Sequence, residues 1–261
     1  MPLGFTNVTL KPGSGTPISG YSWPLAALPF DELLGSVYPD DVVVYAQAGR
    51  RVISNSPLAD RDACSRDNRW DLADVSSDVT RVQSPSVLGG LPRWSTPDSP
   101  STPNGLKSTI PAPLTDYTIA SLVRVDSDTG GIQTLFSTVT GSSHFYLAIG
   151  GAGQLGCTHG SDNNYGPVVT DKIGQWAVFL ATHRESDHQI QYYVDTLASL
   201  DEETAAETPP AGTTAGLMLR GDGANVFAGD MALTVVWKRH MVDDTAALGS
   251  ILTAMGGLRD L

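Results

Sequence analysis

The chain has 261 residues, 41% of them hydrophobic and 17% charged, which is enough apolar material for one large domain with an appendage. Its net charge of −12 excludes a nucleic-acid backbone binder, which needs clustered Lys and Arg, and disfavours docking on an anionic membrane. With 27 glycines and 17 prolines it reads as a loop-rich β protein, and it has no apolar run long enough for a membrane-spanning helix.

Residues 1–58 read as an extended N-terminal arm and residues 59–261 as the domain proper. In the arm, Pro24 and Pro29 forbid a regular helix, while Trp23, Leu25, Leu28 and Phe30 are too apolar for a free tail. The arm should therefore pack, either on its own domain or on a neighbouring subunit. The first residues lack a basic region followed by an apolar one, so no secretory leader is expected. Asp41–Ile53 predicts two short strands around Gly49, and Val79–Val82 a weak strand. The Ser/Thr/Pro run at 95–105 is either a linker or a long surface loop. Cys64 and Cys157 are expected to be two reduced, packed thiols; without clustered histidines they cannot build a structural zinc site.

From Tyr117 onward the β signal is dense. Tyr117, Ile119, Val123 and Val125 share one parity, as do Phe145, Leu147 and Ile149. Trp176, Val178 and Leu180 alternate with Ala177, Phe179 and Ala181, and Ile190, Tyr192 and Val194 with Gln189, Gln191 and Tyr193. HRESDH reads as a polar hairpin tip, with His183 and His188 solvated on either side of it. Residues 201–207 read as a solvated acidic loop. Leu217 and Leu219 predict one more strand, followed by a turn at Arg220-Gly221-Asp222-Gly223. In Val226–Trp237 the parity of Phe227, Met231, Leu233, Val235 and Trp237 predicts a strand with one buried face, with Asp230 on the other. Leu248, Ile251, Leu252 and Met255 then predict a short amphipathic helix with Asp243 as its N-cap. Short strands punctuated by turns about every ten residues imply an antiparallel sandwich or barrel.

The order PLTDYTIASLVRV, FYLAIG, GQWAVFLATHRESDHQIQYYVD and LMLRGDGANVFAGDMALTVVWKRHMVDD plus a helix resembles the concanavalin A-like jelly roll, the family of laminin G-like and legume-lectin-like domains and of many virus-particle modules. The resemblance covers about residues 60–255. It implies an all-β antiparallel jelly-roll sandwich with a short C-terminal helix. It also implies that the Ser/Thr/Pro run lies inside the domain. Tyr193-Val194-Asp195 matches the family's Y-V-D-G strand ending, with Thr196 in place of the glycine. Phe227-Ala228-Gly229 matches its F-x-G strand start. Glucanases of this fold carry closely spaced carboxylates of Glu-x-Asp-x-x-Glu type. The five glutamates, Glu32, Glu185, Glu202, Glu203 and Glu207, have no such spacing and read as loop or arm residues, so no catalytic residue is assigned.

CTHGSDNNYG, between two strands, is the richest candidate recognition loop. Tyr165 offers a stacking platform and Asp162, Asn163 and Asn164 offer polar contacts, with His144 and Tyr146 as neighbours, which is the pairing a glycan site needs. Asp162 and Asn164 are also candidate calcium ligands, with Asp126, Asp128 and Asp230 a weaker set; the competing reading is an Asx-rich turn that satisfies its own backbone. No other cofactor is expected. The five histidines, at 144, 159, 183, 188 and 240, read as scattered. The loops 159–166, 183–188 and 220–225 are the expected recognition surface. These features lead to a bacteriophage virion module (tail fibre, head fibre or decoration protein), assembled in the host cytoplasm and displaying a lectin-like sandwich. Its expected partners are other virion proteins through the arm and a host-surface glycan, and its expected assembly is a homo-oligomer, preferably a trimer. A free carbohydrate-binding protein is the alternative, and a glycoside hydrolase with an unrecognised site the second.

Overall fold

The structure is a computed structural model that describes residues 37–47, 73–74, 79–82, 87–88, 91, 93–96, 106–109, 114–126, 131–140, 143–150, 152–209, 214–217 and 227–260. The described residues form an antiparallel β-sandwich covered on one side by a helix. The first sheet contains β1 (Val42–Gln47), β3 (Thr80–Val82), β4 (Arg93–Thr96), β6 (Tyr117–Val125), β11 (Trp176–Arg184), β12 (Gln189–Val194), β13 (Thr196–Thr204) and β15 (Gly229–Trp237). Its order is β13-β12-β11-β6-β15-β4-β3, and β1 pairs with β15 beyond β4. The second sheet runs β10-β9-β8-β7-β14-β5-β2. It is built from β2 (Ala73–Asp74), β5 (Leu106–Thr109), β7 (Gln133–Thr140), β8 (Ser143–Ile149), β9 (Gln154–His159), β10 (Asp162–Val168) and β14 (Thr214–Leu217).

The core between the sheets follows the period-2 alternation. Tyr117, Ile119, Val123 and Val125 of β6 meet Phe136, Leu147 and Leu155 of the opposing sheet. A second core lies on the outer side of the first sheet. Helix α1 (Thr245–Arg259) lays Leu248, Ile251, Leu252, Met255 and Leu258 over Ala120, Leu122, Val178, Leu180, Leu233, Val235 and Trp237. The first sheet is thus buried on both faces, and each large side chain so covered contributes roughly 1.5–3 kcal/mol.

The double burial corrects the one-faced reading of β15. All nine of its residues are buried. A bulge between Met231 and Leu233 against β6 turns two successive residues, Ala232 and Leu233, to the same side. Met231 and Val236 therefore face the inter-sheet core, and Leu233, Val235 and Trp237 face the helix. Trp237 is wholly buried in the second core, and its Nε1 donates to the Val37 carbonyl at 3.1 Å. Asp230 is also buried, 1% exposed. It is compensated by its cross-strand neighbour Arg124 at 2.8 Å and by Arg93 at 3.0 Å.

The helix N-cap is Asp244, one residue after the expected Asp243: its carboxylate accepts from the Ala247 amide at 3.1 Å, while Asp243 takes a left-handed φ of 67°. Asp195 likewise has φ 61°, so the left-handed residue after β12 is the Asp and not Thr196. Its carboxylate bonds the Val178 amide, Lys172 and Arg259, which fixes β12 against the helix. Of residues 37–47, read as part of the arm, Val42–Gln47 join the first sheet as β1 by pairing with β15. The predicted second strand at 51–53, the turn at 220–223 and Cys64 lie outside the described residues. Residues 201–204 are not loop but the second half of the edge strand β13, so Glu202 and Glu203 are strand residues.

Candidate functional site at the β9–β10 hairpin

The segment read as an oxygen-rich loop is a two-residue hairpin. β9 ends at His159, Gly160 (φ 64°) and Ser161 turn the chain, and β10 begins at Asp162. Alternation on β10 divides the expected cluster between two faces. Asn164 pairs with Cys157, and Cys157 with Leu147, a row that points into the core; Asn164 is 7% exposed. Asp162 shares this side. Asn163 and Tyr165 project from the opposite, outer face, and Tyr165 is 51% exposed.

The inner pair is satisfied within the protein. Asp162 Oδ2 accepts from the Ala206 amide at 2.6 Å and from Asn164 Nδ2 at 3.1 Å. Among the described residues no three His, Cys, Asp or Glu side chains converge to hold a metal ion, and no metal is assigned to Asp162 or Asn164. Of the weaker calcium set, Asp126 pairs with Arg124 at 2.9 Å and Asp230 with two arginines, and Asp128 lies outside the described residues. On the outer face Thr158 Oγ1 donates to Asn163 Oδ1 at 2.8 Å, which holds the amide in place. Register places Tyr146 opposite Thr158, and Thr158 opposite Asn163, so the three form one transverse row. His144 sits opposite Val139, one step beyond the β9 pairing. The side chains of His144 and Tyr146 lie outside the described residues.

Behind Tyr165 the hairpin is pinned from the other sheet. Tyr192 of β12 crosses the sandwich, accepts from the Cys157 amide at 3.1 Å and donates to the Asn164 carbonyl at 3.0 Å. It fits because Gly166 has no side chain; a Cβ there would stand 2.5 Å from the Tyr192 ring. Burial pushes the Cys157 thiol up to about 12, so it is an inert packed thiol beside this anchor.

The histidines are not scattered. His159 and His183 are fully buried, with ring centroids 4.8 Å apart, and Tyr117 stacks on His183 at 5.3 Å. His188, at the hairpin tip, is 6.3 Å from His183. The solvated reading of His183 is thus wrong. Its parity within Ala177, Phe179 and Ala181 was the available signal, since that parity faces the core. Burial and the facing imidazole hold His159 down at about 4, and burial lowers His183 as well.

A family model of the concanavalin A-like lectin/glucanases superfamily matches residues 100–247. No curated protein sequence matches the chain. Among solved structures, the fold is similar to domain 4 of AbnA, a GH43 extracellular arabinanase from Geobacillus stearothermophilus, in complex with arabinotriose. The identity is 11% and the TM-score 0.57, over 84% of this chain and 98% of that one. It is also similar to the binding domain of botulinum neurotoxin serotype D, with 7% identity and a TM-score of 0.55, over 81% of this chain and 51% of that one. The receptor binding domain of botulinum neurotoxin type G gives 12% identity and a TM-score of 0.53, over 82% and 51%. At these identities the solved structures speak for the fold. The family match, which spans more than half of the sequence, places this chain in the concanavalin A-like lectin/glucanases superfamily.

Proposed function

We propose that this chain is a non-catalytic glycan-recognition module whose contact surface is the outer face of β10. The observation that carries this reading is Tyr165, a half-exposed aromatic on a strand braced from behind by Tyr192 and flanked by the oriented Asn163 amide. A phenol ring supplies stacking area to a sugar face and a fixed amide supplies orientation. Sugar binding by a similar fold, domain 4 of the arabinanase with arabinotriose, supports the same class of ligand. The carboxylates support a non-catalytic role: Asp162 and Glu207 are engaged by backbone and hydroxyl donors, and Asp230 by arginines. A glycan array probed with the full chain and with Tyr165→Ala tests the reading; binding that survives the substitution unchanged sinks it.

The finer reading is display on a bacteriophage particle, as a fibre or decoration module in a homo-oligomer such as a trimer. It is supported by the apolar, Pro-rich sequence of residues 1–36, which suits packing on neighbouring subunits. Mass spectrometry of purified particles that lack the chain would overturn it. A free carbohydrate-binding protein is the second reading, and the pairing of β1 with the chain's own β15 favours it.

A further inference from the structure

One end of the sandwich is closed by a short strap, Ala205–Glu207, that runs on from the edge strand β13. Each of its groups is tied to a different neighbour. The Ala205 amide donates to the His188 carbonyl at 2.9 Å and the Ala206 amide to Asp162 Oδ2 at 2.6 Å. The Glu207 carboxylate takes the Ser161 amide at 3.2 Å and the Ser161 hydroxyl at 2.8 Å. The Glu207 carbonyl accepts from His159 Nδ1 at 2.9 Å. The strap therefore fixes the first residues of β10, the strand that carries Tyr165, and its last carbonyl ties it to His159.

The imidazoles behind it suit only their neutral forms. A carbonyl faces Nδ1 of each ring, Glu207 for His159 and Thr115 for His183, so Nδ1 carries the proton and Nε2 is the basic site. His159 Nε2 lies 3.0 Å from the Tyr117 hydroxyl, which donates to it. His183 Nε2 is buried with no hydrogen-bond partner. A second proton on either ring would stand in a dry site 4.8 Å from the other ring, with the third imidazole, His188, beyond. The groups around them are Tyr117 of β6, with Cys157 and Tyr192 against it, Asp116 just before β6, Asp162 on β10, Asp187 at the hairpin tip and the Glu207 carbonyl on the strap. Asp162, Asp116 and Asp187 favour protonation, but burial outweighs them. All three are already engaged, by the Ala206 amide, the Glu185 amide and Arg184.

We propose that this histidine end of the sandwich is an acid-operated latch: when His159 and His183 take up protons the Ala205–Glu207 strap lets go, and β10 loses the fixed form in which it presents Asn163 and Tyr165. The latch rests on the strap bonds and the burial of the two facing imidazoles; its consequence for ligand binding rests on the proposed function.

Hydrogen exchange of the full chain at pH 7 and pH 5, corrected for intrinsic exchange rates, reads the latch directly. A histidine held at about 4 in the closed state and free near its ordinary 6.5 in the open state shifts the opening equilibrium about 20-fold over this range. The Ala205, Ala206 and Ser161 amides should lose protection by that order, and at both pH values they should stay less protected than the β15 amides, which open only when the whole domain unfolds. Glu207→Gln should loosen the same three amides at pH 7 already. Strap amides as well protected as the β15 amides at both pH values, or strap amides whose protection is the same at pH 7 and pH 5, overturn the latch. If no glycan binds at any pH while the strap still responds, the recognition reading falls and the latch stands. If glycan binds equally at pH 7 and pH 5 and the strap is unmoved, the latch alone falls.

Discussion

β15 and β10 are strands of one sandwich put to opposite uses. β15 lies between β6 on one side and β4 and β1 on the other, with the second sheet below and helix α1 above, and all nine of its residues are buried. β10 is the last strand of its sheet, and its residues alternate between buried and exposed over most of its length. The sequences match these places. GDMALTVVW has large apolar groups for two cores, and its one acid is paired with two arginines. DNNYGPV has polar groups for an edge, a glycine where Tyr192 reaches through, and a proline that an edge strand tolerates. Scaffold and recognition surface are thus separable here, so substitutions in the two strands should move different observables.

The largest effect is expected from Trp237→Ala. The indole is fully buried under the helix and bonds the Val37 carbonyl. Its removal should cost about 3–5 kcal/mol in urea unfolding, as a large cavity does, and leave the affinity of the folded fraction unchanged. A stable variant with altered binding would reverse the division between the strands.

Acid should act on the end where the two sheets meet through histidines. Folded His159 takes its proton only near pH 4, whereas an ordinary histidine does so near 6.5. Between these values the unfolded chain binds more protons, so stability falls as pH falls from about 6.5 to 4 and this contribution is flat below. The loss at pH 4.5 relative to pH 7 is roughly 2–3 kcal/mol. It should be read as the difference between wild type and His159→Gln, which cancels the titration of the carboxylates common to both.

Asp230→Ala comes next, with an expected cost of about 2–3 kcal/mol. It strands the cation of Arg93 in a largely buried site, whereas Arg124 keeps Asp126 and more water. Asp230 and Arg93 should be coupled: the double variant with Arg93→Met should be less destabilised than the sum of the two single changes in a double-mutant cycle.

The contrast between the strands was only half legible in the sequence. Period-2 runs in β6, β8, β11 and β12 gave the sandwich, because their inward parity is uniformly apolar. For β15 the parity was misleading. A bulge has no residue signature there, and a helix placed over the outer face makes both parities apolar. β9 and β10 were hidden for the opposite reason: on an edge, Asn and Asp satisfy strand pairing as well as turns, so composition favoured a loop. The two buried histidines escaped because His159 and His183 are 24 residues apart and meet only when the two sheets close. Tyr192 sat on the apolar parity of β12, but no local pattern shows that its hydroxyl crosses to another sheet.

The smallest effect on stability, and the one that most sharpens the comparison, belongs to Tyr165→Ala. Half of the ring is already in water, and the backbone around it is held by Tyr192 and by the Asn163–Thr158 bond, neither of which uses the phenol. Unfolding free energy should change by less than about 0.5 kcal/mol, as for other surface substitutions. Glycan affinity should drop about tenfold, the loss of one aromatic contact of order 1 kcal/mol. Isothermal titration reads the second quantity and urea unfolding the first. Tyr165→Phe separates the two parts of the side chain: with the stacking face kept, affinity should stay within about twofold, whereas a loss equal to that of alanine would mean that the hydroxyl makes the contact and that the ring is only its support.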